Sequence, residues 1–261
     1  MARRRYAVCF VSALCMLGAT AVPKTAPAQD LGAVVQAVKN AREGNALFNT
    51  IEVRSDSLKG LQQWTRVVGA MRTQGPAFNS CAADAANCTT SVLKKWRSIV
   101  IAASRLPRGE RTKAVNKFFN GWPYMLDSEI YGVREYWATP REFMTNSGDC
   151  EDYSIAKYYA LRNLGYGKDE LRVVALRDQI RGFGHAVLAV YAGSDILVLD
   201  NLSEIVVSHT RYKHYQPQVS MNETTRWAHV GGLGPQPTPA ASPSSPSSPL
   251  SAETLFQRRG N

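Results

Sequence analysis

The feature that most constrains this chain is a change of hydrophobic period near residue 170. Before it, apolar residues recur at helical spacing. Leu58, Leu61, Trp64, Val67 and Val68 mark one helix, Val92, Trp96, Ile99 and Val100 a second, and Val115, Phe118 and Phe119 a third. A fourth helix is expected from about Cys150 to Leu164, burying Ala156, Tyr159, Ala160 and Leu164, with Gly165 just past its end. Beyond it come short runs rich in Val and Leu: 171–178, 185–192, 195–200 and 204–209. Broken by Gly, Ser or Asp, they read as strands of an antiparallel sheet. Helices first and strands second make an α+β fold. At 261 residues the chain can bury one sizeable core. The part spanning about 31–120 reads as a helical lobe, and 121–149 as irregular, punctuated by Gly121, Pro123, Gly132, Pro140 and Gly148.

The two ends differ from this middle. Arg3, Arg4 and Arg5 precede an uncharged stretch at 7–22, and Ala26-Pro27-Ala28 offers a small-x-small cleavage pattern. This reads as a signal peptide over residues 1–28, because the apolar run is shorter than the ~20 residues a membrane span needs. An uncleaved anchor is the alternative. Residues 231–261 are rich in Pro and Ser and read as a solvated, disordered tail. The folded domain is therefore expected at 29–230. Formal charge is +10 for the whole chain; losing residues 1–28 removes four basic residues and no acids, leaving +6. No Lys/Arg stripe interleaved with aromatics follows, so nucleic acid is not the expected partner.

Cysteine usage supplies the first chemical clue. Cys9 and Cys15 leave with the leader, and the remainder keeps Cys81, Cys88 and Cys150. An exported chain favours bridging of the near pair, Cys81 and Cys88, worth about 2 kcal/mol by loop entropy. That leaves Cys150 as the odd cysteine, at the start of a helix where unpaired N–H groups and the dipole favour a thiolate.

A base is also required. Of four histidines, His185 has a candidate partner. With Ala192-Gly193 as a tight turn, His185 directly faces Asp200 on the neighbouring strand, on the same sheet face. Asp200 can then hold one ring nitrogen and leave the other for Cys150, the logic of a nucleophile–base–orienter triad. His209, His214 and His229 read as surface or sheet-edge groups, and Trp137 as core.

These residues carry a family resemblance. WATPREFMTNSGDCEDYSIAKYYALRNLG, then GHAVLAV, then LVLDNL, resembles the bacterial transglutaminase-like cysteine proteinases of the LapG type, over roughly Phe48 to Trp227. The resemblance implies a papain-like, transglutaminase-like cysteine proteinase fold, with catalytic helix and sheet at about 137–230. It implies Cys150 as nucleophile, His185 as general base and acid, and Asp200 as orienter. The Cys150 backbone N–H is the expected oxyanion donor.

Asp149, Glu151 and Asp152 crowd three carboxylates around the nucleophile. Ca²⁺, which takes 6–8 oxygen ligands, would resolve their repulsion; acids complementing the helix dipole are the alternative. The resemblance implies calcium, with these three as ligands. It further implies a periplasmic location and a substrate in the N-terminal region of a large surface adhesin, cut at a di-alanine-containing site with dispersal of a biofilm. Control by an inner-membrane receptor that senses cyclic di-GMP is also implied. A transglutaminase using the same triad, and a non-catalytic peptide- or calcium-binding module, are the competing readings.

Overall fold

Seven antiparallel strands form one sheet in the order β1-β7-β6-β2-β3-β4-β5. They are β1 (Thr50–Ser55), β2 (Leu171–Asp178), β3 (Phe183–Ala192), β4 (Asp195–Leu199), β5 (Val207–Ser208), β6 (Tyr215–Met221) and β7 (Arg226–Gly232). The helices are α1 (Gln62–Ala83), α2 (Ser91–Ser104), α3 (Arg108–Asn120), α4 (Asp127–Ile130), α5 (Pro140–Asn146) and α6 (Cys150–Asn163). This computed structural model describes residues 46–232 together with Gly32, Val35, Gln36 and Lys39; the expected leader and the tail beyond 232 lie outside the described residues. Among the described residues no helix is long and apolar enough to cross a membrane.

The α+β expectation stands, with corrections. Strand β1 falls inside the region read as helical, and α4 and α5 fall inside the stretch read as irregular. Thr139 caps α5, accepting from Glu142 N–H while the Glu142 carboxylate accepts from Thr139 N–H, a capping box with Pro140 at the first helical position. Strand β5 shrinks to two residues, and β6 and β7 were not anticipated. In β6, Pro217 lacks the N–H a central strand needs, and the β2–β6 register shifts between Ala175 and Leu176, beside that proline. Strand β7 runs two residues into the segment read as tail.

Helix α6 is the axis of the molecule. Every residue from Cys150 to Leu161 is buried, not one stripe. It packs against β2 and β3 on one side and α3 and α5 on others, so no face meets solvent. It ends as its sequence requires. Gly165 takes φ +87°, its N–H bonds Arg162 O at 3.1 Å, and Tyr166 N–H bonds Leu161 O at 3.0 Å.

The sheet separates two cores. Val173, Leu188, Val190, Leu199 and Met221 face the helices. Val174, Leu176, Val187, Ala189, Ile196, Val198 and Tyr215 pack on the other side with Leu47 and Phe48. Cys81 and Cys88 form a disulfide with Cα atoms 4.7 Å apart, pinning the end of α1.

Candidate active site

The local backbone before α6 is built to present residues 148–152. Ser147 sits at φ +70°, a region that costs a non-glycine residue free energy. Gly148 then pairs with Tyr124 in an isolated bridge, and its carbonyl accepts from Met125 N–H at 3.0 Å. A Cβ on Gly148 would lie 2.0 Å from Asp152 Oδ2, so glycine is needed there for that carboxylate to approach. Asp152 accepts from Asp149 N–H at 3.2 Å and from Ala138 N–H at 2.6 Å, capping α6 and tying it to the segment before α5.

Cys150 is the first residue of α6 and is buried against Ala186, the neighbour of His185 on β3. Its sulfur lies 3.2 Å from Glu151 Oε2. The sequence leaves Cys150 as the odd cysteine; in the structure its sulfur is disulfide-bonded. A nucleophilic role requires that bond to be absent.

His185 and Asp200 come together. His185 Nε2 lies 2.9 Å from Asp200 Oδ1, both residues being 1% exposed. The register behind this differs from the one expected. Leu188 pairs with Leu199 and Ala192 with Asp195, so the two-residue turn is Gly193-Ser194. Gly193 takes φ +65°, the conformation a primed turn demands at its first central position and one that Ala192 would adopt only under strain. Extending the register places His185 opposite Leu202, two residues from Asp200. An even shift preserves the face, and diagonal neighbours remain within side-chain reach. Asp200, just past β4, swings back to meet the imidazole.

Asp200 accepts three hydrogen bonds, two on Oδ1 and one on Oδ2. Oδ1 also takes Leu202 N–H at 2.9 Å, and Oδ2 takes the Tyr215 hydroxyl at 2.6 Å. Burial would raise its pKa, but the His185 charge and these hydrogen bonds win and hold it down at about 2. With Asp200 ionised, Nε2 carries the proton and Nδ1 is left for other chemistry. Tyr215 is a site residue that sequence reading missed, because its strand was not recognised.

The acids form two overlapping groups. Asp127, Asp149 and Asp152 bring ligand oxygens within 4.8 Å of one another, and so do Asp149, Cys150 and Glu151. Asp127, on α4, was not among the expected ligands; no spacing links it to the others. All four carboxyls have raised pKa values, first because they are buried. Asp127 is pushed up to about 7 by burial and then by the Asp149 charge. The Glu151 and Asp152 carboxyls rise well above the usual range, the Asp149 charge again adding to burial. Hydrogen bonding with Glu151, then with Asp127, and last the His185 charge draw Asp149 downward without cancelling its burial. Asp127 Oδ1 is buried without a hydrogen-bond partner. Crowded hard oxygens with one of them orphaned fit a divalent cation such as Ca²⁺.

Other expectations resolve plainly. Trp137 is core, edge-on to Trp64 at 6.5 Å. His209 is not a surface group: it is buried, and its Nδ1 accepts from Phe48 N–H at 2.9 Å. His229 contacts Thr50 Oγ1 at 2.7 Å and Ser220 Oγ at 2.9 Å, and burial pulls it down to about 4. His214 packs its ring 4.5 Å from Tyr215.

A buried cysteine-headed helix against an antiparallel sheet, with a His–Asp pair beside it, is the arrangement of a thiol proteinase. The family model for bacterial transglutaminase-like cysteine proteinases (BTLCP) matches residues 72–233, more than half of the chain, and the chain belongs to that family. Among solved structures it is similar to Legionella pneumophila LapG at 27% identity, covering 58% of this chain and 85% of that one, with a TM-score of 0.49. Calcium-bound L. pneumophila LapG matches at 29% identity, covering 54% and 81%, with a TM-score of 0.48. The EGTA-treated form matches at 27% identity, covering 58% and 83%, with a TM-score of 0.49. No curated protein matches the chain.

Proposed function

We propose that this chain is a calcium-dependent cysteine endopeptidase of the periplasm that cuts the N-terminal region of a large surface adhesin. The observation that carries the reading is the buried His185–Asp200 pair at 2.9 Å, with Cys150, the first residue of α6, packed against Ala186, the chain neighbour of His185. Membership of a cysteine proteinase family supports the reaction class. The location, the adhesin, its di-alanine-containing site, the release of a biofilm and the cyclic di-GMP receptor rest on the resemblance of the GDCEDY, GHAVLAV and LVLDNL segments.

The chemistry follows from the residues. His185 Nδ1 takes the Cys150 thiol proton; the resulting thiolate attacks the scissile carbonyl carbon, and the Cys150 backbone N–H at the helix start donates to the oxyanion. As the C–N bond breaks, His185 gives its Nδ1 proton to the leaving amine. A water then attacks the thioester and His185 takes its proton. The C–S bond breaks, releasing the new carboxyl terminus and the thiolate. Asp200 keeps Nε2–H oriented and stabilises the imidazolium throughout. Asp127, Asp149 and Asp152 would hold the calcium ion, with Glu151 beside them. The ion would neutralise carboxylates that otherwise oppose a thiolate at Cys150.

The same acyl-enzyme could pass to an amine instead of water, as in a transglutaminase. Incubating the reduced chain with adhesin N-terminal regions and a labelled amine, with and without a chelator, separates these readings. The expected result is chelator-sensitive hydrolysis without label. Amine incorporation would favour the transferase; indifference to the chelator would remove calcium from the reading.

A further inference from the structure

The Asp200 carboxylate divides its contacts unequally. Oδ1 receives His185 Nε2 and Leu202 N–H, whereas Oδ2 receives the Tyr215 hydroxyl. At 2.6 Å that bond has the length of a charge-assisted O–H···O⁻ contact. Both residues are buried, so removing the hydroxyl would strand a carboxylate oxygen away from water.

Tyr215 is itself held from several sides. Its ring stacks on Tyr212 with centroids 4.8 Å apart and planes 17° from parallel. It meets Phe48 edge-on at 6.0 Å and His185 at 5.7 Å, so one ring touches both members of the catalytic pair. Phe48 is fixed in turn by φ +51° and by its N–H on His209. Charged and titratable groups around Tyr215 include Asp200, Asp178, Tyr212, Arg181, His185 and His214, and burial first, then the two carboxylates, keep its phenol protonated as a donor.

We infer that Tyr215 is a positioning residue of the proteinase reaction, its hydroxyl and ring locking the Asp200 carboxylate and the His185 imidazole into a single arrangement. The inference rests on the proteinase reading above. It explains how an orienter two residues out of register, beyond the end of its strand, keeps a fixed direction: β6 supplies the hold that the β3–β4 ladder does not.

The test needs no substrate. In the reduced full chain, the rate of iodoacetamide alkylation at Cys150 is followed from pH 4 to 9 by peptide mass spectrometry. Wild type is expected to react below the ordinary thiol range, as a thiolate–imidazolium pair does. Tyr215→Phe should lower the plateau rate about tenfold, the worth of one charged hydrogen bond, and move the acid limb upward as Asp200 begins to protonate. On an Asp200→Asn background, Tyr215→Phe should change the rate less than twofold. An unchanged Tyr215→Phe profile, or a full additional loss in the double variant, would overturn the inference while leaving the proteinase reading intact. An ordinary thiol profile in wild type would instead overturn that reading. If Tyr215→Phe does not fold, 3-fluorotyrosine at position 215 serves. A stronger donor on Oδ2 should move the His185 Nε2–H proton resonance upfield, and an unmoved resonance would overturn the inference.

Discussion

His185 and Asp200 stand two residues out of direct register on neighbouring strands, yet their side chains meet at 2.9 Å in a site closed to solvent. The contact is therefore a property of the carboxylate's own network and not of the ladder. Asp200→Asn keeps the shape but can donate to Nε2, favouring the wrong tautomer. We expect kcat/KM for peptide cleavage to fall on the order of 10²–10⁴-fold with little change in Tm. A loss below tenfold would show that Asp200 does not orient the base.

Four buried carboxyls converge at the start of α6. A cation that binds only the folded chain at 100 times its Kd stabilises by about 2.7 kcal/mol, or roughly 5–10 °C at this size. Calcium should raise Tm by that amount and EGTA should reverse it. Asp127→Asn and Asp152→Asn should each weaken the response. An equal response in both variants and wild type would place the ion elsewhere.

Gly148 leaves room for Asp152 and for nothing more. Gly148→Ala would set a Cβ 2.0 Å from Asp152 Oδ2, displacing the carboxylate that accepts Asp149 and Ala138 N–H. A stability loss of about 2–4 kcal/mol is expected, together with loss of the calcium response, read by urea unfolding with and without the ion. Wild-type behaviour would mean the segment shifts without cost.

Lys157 places an amine inside the core. It lies two turns below Cys150, fully buried, with no hydrogen-bond partner for Nζ. Burial lowers its pKa to about 7, against a modest pull upward from Asp200. The unfolded chain therefore binds more protons than the folded one between pH 7 and the ordinary lysine range, and this residue makes stability rise with pH across that window. Lys157→Met should flatten that rise between pH 7 and 9 and add about 1 kcal/mol or more at pH 7, some 2–4 °C in Tm. A lower Tm at pH 7 would show that Nζ has an ionic partner in solution.

Local chemistry made some of this legible in advance. The helical stripes of α1, α2 and α3, the Gly165 stop of α6, the strands over 171–200 and the His185–Asp200 pairing all follow from spacing or turn residues. What escaped depended on distant segments. β6 hides behind Pro217, and with it Tyr215. β1 finds its partner only in β7, more than 170 residues away, and Asp127 reaches the acid cluster from a four-residue helix. The hairpin register failed by two residues because Gly193, not Ala192, takes the positive φ; the even error kept His185 and Asp200 on one face.

The central claim is that Cys150 attacks a peptide bond. The most direct measurement compares reduced wild type with Cys150→Ala on the same adhesin N-terminal region, with products identified by mass spectrometry. The account predicts one clean hydrolytic cut by wild type and none by Cys150→Ala. Equal cleavage by the two proteins would contradict it.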